Sequence, residues 1–138
     1  MTVEAIHEAV RDGVVRGVAV VALAGVALIH VLDAPGTFAD APYRGWLYIA
    51  LIVGCLGAAA MLVRGNDRRA WLGAAALSLG AMFAFVLSRT VGLPAGAGDI
   101  GNWTEPLGLA SLFVEGLLVA LAGSVLFEQA GVLAPQPV

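Results

Sequence analysis

The chain has 138 residues, of which 60% are hydrophobic and 12% charged, with a net charge of −3 and a mean hydropathy of +0.93. That leaves too little polar surface for a soluble domain of this length. The slight negative charge and the absence of lysine argue against a nucleic-acid partner. The lone cysteine, Cys55, excludes an internal disulfide and says nothing about the redox compartment; it is most simply a small core residue.

The first residues, TVEAIHEAVRD, place Val3, Ile6 and Val10 on one helical face and Glu4, His7, Glu8 and Arg11 mostly on another, with Thr2 as N-cap. This predicts a short amphipathic helix on the membrane surface, where His7 is solvated. Four apolar runs follow, at 14–33, 45–63, 71–89 and 106–127. At 1.5 Å per residue each suffices for a hydrocarbon core ~30 Å thick. The first run is longer than a signal-peptide core, follows a segment of mixed charge and lacks an Ala-x-Ala site, so it is expected to be retained.

Pro35 and Gly36 should end the first helix, leaving 34–44 as a loop. Tyr43, Trp46 and Tyr48 then mark an interface as the second helix begins. The segment RGNDRR makes a tight polar turn, with Trp71 at the same boundary. The third helix carries Ala76, Gly80, Ala84 and Ser88 at spacing four, and the fourth carries Gly116, Ala120 and Ser124; such stripes usually let helix backbones pack closely. Short connections predict an all-α fold, an antiparallel bundle of four transmembrane helices in one domain, 1–128, with a flexible tail, 129–138. Arg11, Arg16, Arg64, Arg68 and Arg69 share one side and only Arg44 and Arg89 the other. The positive-inside rule therefore places both termini in the cytoplasm, the chain in the plasma membrane, and the 34–44 and 90–105 loops outside.

Depth along the helices gathers the polar residues towards the outer half. His30 lies near the outer end of the first helix, with Asp33 one turn further on a neighbouring part of its face. Ser88 and Arg89 close the third helix at that level, Asp99 lies in the loop, and Glu105 sits where the positive end of a helix dipole suits an acid. Ser111 and Glu115 share a face of the fourth helix. Glu115 falls ~15 Å below Glu105, near the bilayer centre, where a charged carboxylate costs at least ~2.5–3.5 kcal/mol. It must be protonated, paired or bound to a cation. A hydrogen-bonded acid tying two helices together is the bland reading; ligand, proton or metal handling is the functional one.

His30, Asp33 and Glu115 form the metal-ligand set the sequence offers, and a divalent Zn, Mn or Fe ion is the cofactor that imidazole with carboxylates would suit. Arg89 is expected to cap carbonyls, to pair with Asp33, Asp99 or Glu105, or to act as electrostatic partner of Glu115. The loop PAGAGDIGNW is Gly-rich but has no P-loop lysine and no strand before it, and Trp103 is read as an interface anchor. There is no Ser-His-Asp motif, no Cys-x-x-Cys and no histidine pair for heme, so no catalytic residue is assigned.

The stretches IHVLDAPGTF, SRTVGLP and EPLGLASLFVE, within residues 28–118, resemble those of a group of small four-helix bacterial membrane proteins, mostly actinobacterial and largely uncharacterised. Members often carry Glu-Ala-Pro-Glu-His-Phe after the first histidine. Here Asp33-Ala34-Pro35-Gly36-Thr37-Phe38 stands there, so a metal set using both histidines would lack one ligand, at Thr37. Three functions stay open: a binding or accessory protein whose outer polar cluster holds a cation, proton or partner; a structural subunit of a homo-oligomer or larger membrane complex; and a membrane enzyme acting on a lipid or quinone, with His30 as base.

Overall fold

Proline sets the first helix boundary, but Pro42 sets it rather than Pro35. In the computed structural model, which describes residues 1–133, α1 runs unbroken over Val3–Asp40 with Pro35 inside it. Pro35 removes one backbone donor without ending the helix. Pro42 disfavours helical geometry at the residue before it, and Ala41 is accordingly extended (φ −153°, ψ 98°). A proline is favourable at the first position of a helix, and α2 begins there, spanning Pro42–Arg64. The expected 34–44 loop is thus a one-residue corner at Ala41.

The N-terminal segment is helical, with the Ala5 amide donating to Thr2 Oγ1 at 3.2 Å. It continues directly into the first span rather than turning to lie flat. At 38 residues α1 is about 57 Å long, nearly twice a hydrocarbon core, and beyond the bundle's end Arg11 pairs with Glu128.

Asp67 caps α3, Arg68–Thr90, by accepting from the Arg69 amide at 2.8 Å. The Val91 and Gly92 amides both donate to the Leu87 carbonyl, at 3.1 and 3.0 Å, and Gly92, in the left-handed region (φ +81°), then turns the chain off the helix. A short 3₁₀ turn, Ala97–Asp99, interrupts the connection to α4, Pro106–Leu133. The described part of the expected tail, 129–133, is helical; the tail beyond it lies outside the described residues. All four α-helices are long and apolar enough to cross a membrane, and no strand occurs among the described residues.

The helices form a ring in which α1 and α3 each touch both α2 and α4. Its two ends differ. The end carrying the α2–α3 turn is filled by Ala19, Leu23, Val26, Cys55, Ala58, Leu62, Trp71, Ala74, Leu118 and Ala122. Small residues bring the backbones together, and Trp71 fills what remains. Trp71 is completely buried, its indole N–H donating to Asn66 Oδ1 at 2.6 Å. It is a core residue and not an interface anchor, because its one polar atom finds a partner in the turn.

Towards the other end the packing opens. The Ala76–Ser88 stripe of α3, expected as a seam, lines a cavity instead, and a side chain at Gly80 would meet nothing within 4 Å. The stripe on α4 faces outward, with Ala120 and Ser124 exposed. A true close approach occurs at Gly45, where a β-carbon would fall 2.4 Å from the Phe38 ring. Gly45→Ala should destabilise the protein by about 1–3 kcal/mol through overpacking at the α1–α2 corner. Gly57→Ala, which meets nothing within 4 Å, should be neutral or stabilising by up to ~1 kcal/mol. Thermal unfolding of the two variants in one detergent checks the contrast.

Candidate functional site: a polar cavity between the four helices

Residues of all four helices and of the α3–α4 connection enclose a cavity of about 570 Å³. The eight polar residues singled out in the sequence, His30, Asp33, Ser88, Arg89, Asp99, Glu105, Ser111 and Glu115, all line it. Helix register explains the convergence. His30, Asp33 and Thr37 succeed one another at spacings of three and four on α1, and Ser111 and Glu115 do so on α4, so each helix presents one polar stripe to the shared interior.

At the deep end, Glu115 is 1% exposed. Ser111 Oγ donates to its Oε1 at 2.6 Å. His30, also buried, lies within electrostatic reach of this carboxyl. Its Nδ1 is 2.9 Å from the Val26 carbonyl. A carbonyl only accepts, so Nδ1 carries a proton and donates. Tyr48 stands edge-on to the imidazole, with ring centroids 4.7 Å apart. Its hydroxyl donates to Asp33 Oδ2 at 3.0 Å, and Thr37 Oγ1 donates to the same oxygen at 3.4 Å.

At the shallow end an ion-pair chain joins three segments. Arg44 Nη1 lies 2.7 Å from Asp99 Oδ2, and Arg89 Nη1 lies 3.3 Å from Asp99 Oδ1. Arg89 Nη2 is 3.8 Å from Glu105 Oε2, and its guanidinium stacks over Phe85, 4.6 Å from the ring centre. Glu105 also caps α4, accepting from the Leu107 and Gly108 amides at 2.9 and 2.6 Å. A β-carbon at position 108 would fall 2.4 Å from Phe85 Cε2 and 2.8 Å from Glu105 Oε2, so glycine there permits both contacts. Tyr43 donates to the Pro94 carbonyl at 2.8 Å, and the Gly101 amide to the Arg89 carbonyl at 2.9 Å.

This geometry sorts the partners expected for the site residues. Of those expected for Arg89, it pairs with Asp99 and Glu105, the first two acids it meets beyond the end of α3, and not with Glu115. His30, Asp33 and Glu115 share the cavity without forming a metal centre: no three His, Cys, Asp or Glu side chains among the described residues converge closely enough to hold an ion. Asp33 is turned to Tyr48 and Thr37 on the α1–α2 side, whereas Glu115 is held by Ser111 on α4. Thr37, at the position of the missing histidine, contributes a hydrogen bond to a carboxylate.

Arg44 and Tyr48 belong to the site although the sequence marked one only for orientation and the other only for the interface. The available signal was Arg44 itself, one of just two arginines at the acid-rich end. Asp99→Ala would leave Arg44 and Arg89 facing each other without their shared acid. Charge-assisted hydrogen bonds contribute roughly 1.5–3 kcal/mol, so amide exchange at Gly96, Gly101 and Asn102 should accelerate about tenfold or more. Hydrogen-exchange mass spectrometry reads this directly; unchanged exchange would show that the connection is held by its backbone alone.

No protein-family model, curated protein or solved structure matches the chain.

Proposed function

We propose that this is a small membrane-embedded binding protein whose cavity holds one small organic ligand. The observation that carries the reading is the convergence of all eight polar residues on a single cavity of about 570 Å³, within the range of ~300–1,000 Å³ typical of small-molecule sites. That space is far larger than a bare ion needs.

The arginines support the orientation. Arg64, Arg68 and Arg69 flank the α2–α3 turn at the packed end, on the side of both termini, which argues for cytoplasmic termini in the plasma membrane with the cavity towards the outside. The three stretches that resemble the actinobacterial group, around His30, Arg89 and Glu115, all contribute to the cavity wall.

A second reading, as a subunit of a homo-oligomer or larger complex, draws on the exposed Ala120 and Ser124 of α4, flanked by Phe113 and Phe127, which are 77% and 82% exposed. Gly116→Leu should then disrupt co-purification of a partner chain while leaving the cavity's ligand in place.

The binding reading is tested by solvent extraction and mass spectrometry of protein purified with its surrounding lipid, compared with Ala84→Trp, which fills the cavity from α3. An approximately stoichiometric small molecule present in the wild type and lost in folded Ala84→Trp is the expected result. Its absence from both would overturn the reading, and a stoichiometric metal lost in His30→Ala would replace the organic ligand by an ion.

A further inference from the structure

The shallow end of the cavity is balanced in charge but not in hydrogen bonds. Arg44 and Arg89 face Asp99 and Glu105 there, two guanidinium groups against two carboxylates. Only one of these contacts is short, the 2.7 Å bond from Arg44 Nη1 to Asp99 Oδ2. Arg89 lies 3.3 Å from Asp99 and 3.8 Å from Glu105, whereas charge-assisted hydrogen bonds measure ~2.7–2.9 Å. Among the described residues its guanidinium makes one hydrogen bond, a 3.4 Å contact from Nη1 to Ser88 Oγ. Yet Arg89 is 9% exposed, and a guanidinium has donors and no acceptor. Phe85 covers its face and accepts none of the N–H groups, which point outward in the plane. The Nε atoms of Arg44 and Arg89 are both buried with no partner among the described residues.

The neighbouring carboxylates are already engaged. Both Glu105 oxygens accept from the first amides of α4, and Asp99 stands between the two arginines. Buried donors without acceptors are costly. This end of the cavity therefore calls for an acceptor oxygen and not for further charge. Below it the wall is apolar at Ile29, Leu51, Leu77 and Ala81.

Building on the binding reading above, we propose that the ligand is a neutral molecule with a carbonyl group on an apolar body. Its carbonyl oxygen lies against Arg89, within reach of Arg44, and its body fills the cavity down towards His30 and Glu115. A carbonyl oxygen has two lone pairs to accept from guanidinium and no hydrogen that would need an acceptor in return. A slight turn of the Arg89 side chain, which its long contacts permit, presents Nε–H to that oxygen while the ion pairs are kept. A carboxylate in the same place would add negative charge to a balanced set. An ammonium would bring donors to an end already rich in them.

2-Decanone, decanoate and decylammonium have chains of the same length and differ in the head. Their binding is measured with the full chain in nanodiscs of zwitterionic lipid, against empty nanodiscs. Saturable binding of 2-decanone at one per chain is expected, with little of the other two. It should weaken about tenfold or more in Arg89→Leu, which leaves Asp99 paired with Arg44, and disappear in Ala84→Trp. Thermal unfolding confirms that both variants are folded. Infrared spectra of carbonyl-labelled 2-decanone on the wild type need no variant. The C=O band of the bound ketone should fall below its position in empty nanodiscs, because strong donors weaken that bond. An unshifted band would overturn the assignment, as would equal binding by folded Arg89→Leu. Preferential binding of decanoate or decylammonium, abolished by Ala84→Trp, would overturn the carbonyl head and leave the binding reading standing. Saturable binding of none of the three would also refute it, with water alone meeting the arginines, and the binding reading would then stand or fall on the extracted molecule.

Discussion

A carboxyl group far from water must have its charge removed, paired or shared, and the hollow half of this bundle is arranged around that constraint at Glu115. The group is completely enclosed, yet the structure gives it only the Ser111 hydroxyl. Arg89, on the same cavity wall, is anchored instead by Asp99, Glu105 and the Phe85 ring. Keeping Arg89 away requires the α3–α4 connection to supply two acids, Asp99 and the residue that caps α4, Glu105. The ion-pair chain at the shallow end is therefore a condition for the unpaired acid at the deep end. An arrangement built for stability alone would place an apolar side chain at this position, because a buried charge without a partner is strongly destabilising.

The division of the bundle follows from the same need. The packed end closes with alanines, Leu62, Leu118 and Trp71, and fixes the helices relative to one another. Rigidity there allows the opposite end to remain open, since a cavity persists only where its walls cannot collapse onto it. The small residues of α3 serve both ends. Ala70 and Ala74 let backbones approach, whereas Ala76, Gly80 and Ala84 create room in the cavity wall.

Much of this was legible in the sequence. Hydropathy alone located the four spans, and helical spacing put His30 with Asp33 and Ser111 with Glu115 on common faces. What failed depended on partners distant in the chain. Pro35 reads as a helix stop by every local rule, but the helix survives the loss of one hydrogen bond and ends where Pro42 forces Ala41 to extend. Trp71 beside charged residues reads as an interface anchor until Asn66 is known to satisfy its indole. The choice of Arg89 among several acids is likewise invisible to spacing, because it depends on how the 91–105 segment folds back. A small-residue stripe signifies close packing or empty space depending on whether a neighbouring helix lies against it, and only the three-dimensional arrangement decides which.

The central claim is that Glu115 and His30 face an occupied space rather than an arginine. An experimental structure of the protein crystallised from a lipid mesophase, without delipidation, tests it most directly. The account predicts connected density in the cavity that contacts Glu115 and His30, with Arg89 still on Asp99 and Glu105. A collapsed cavity, with Arg89 swung inward onto Glu115 and no density beyond the side chains, would contradict it.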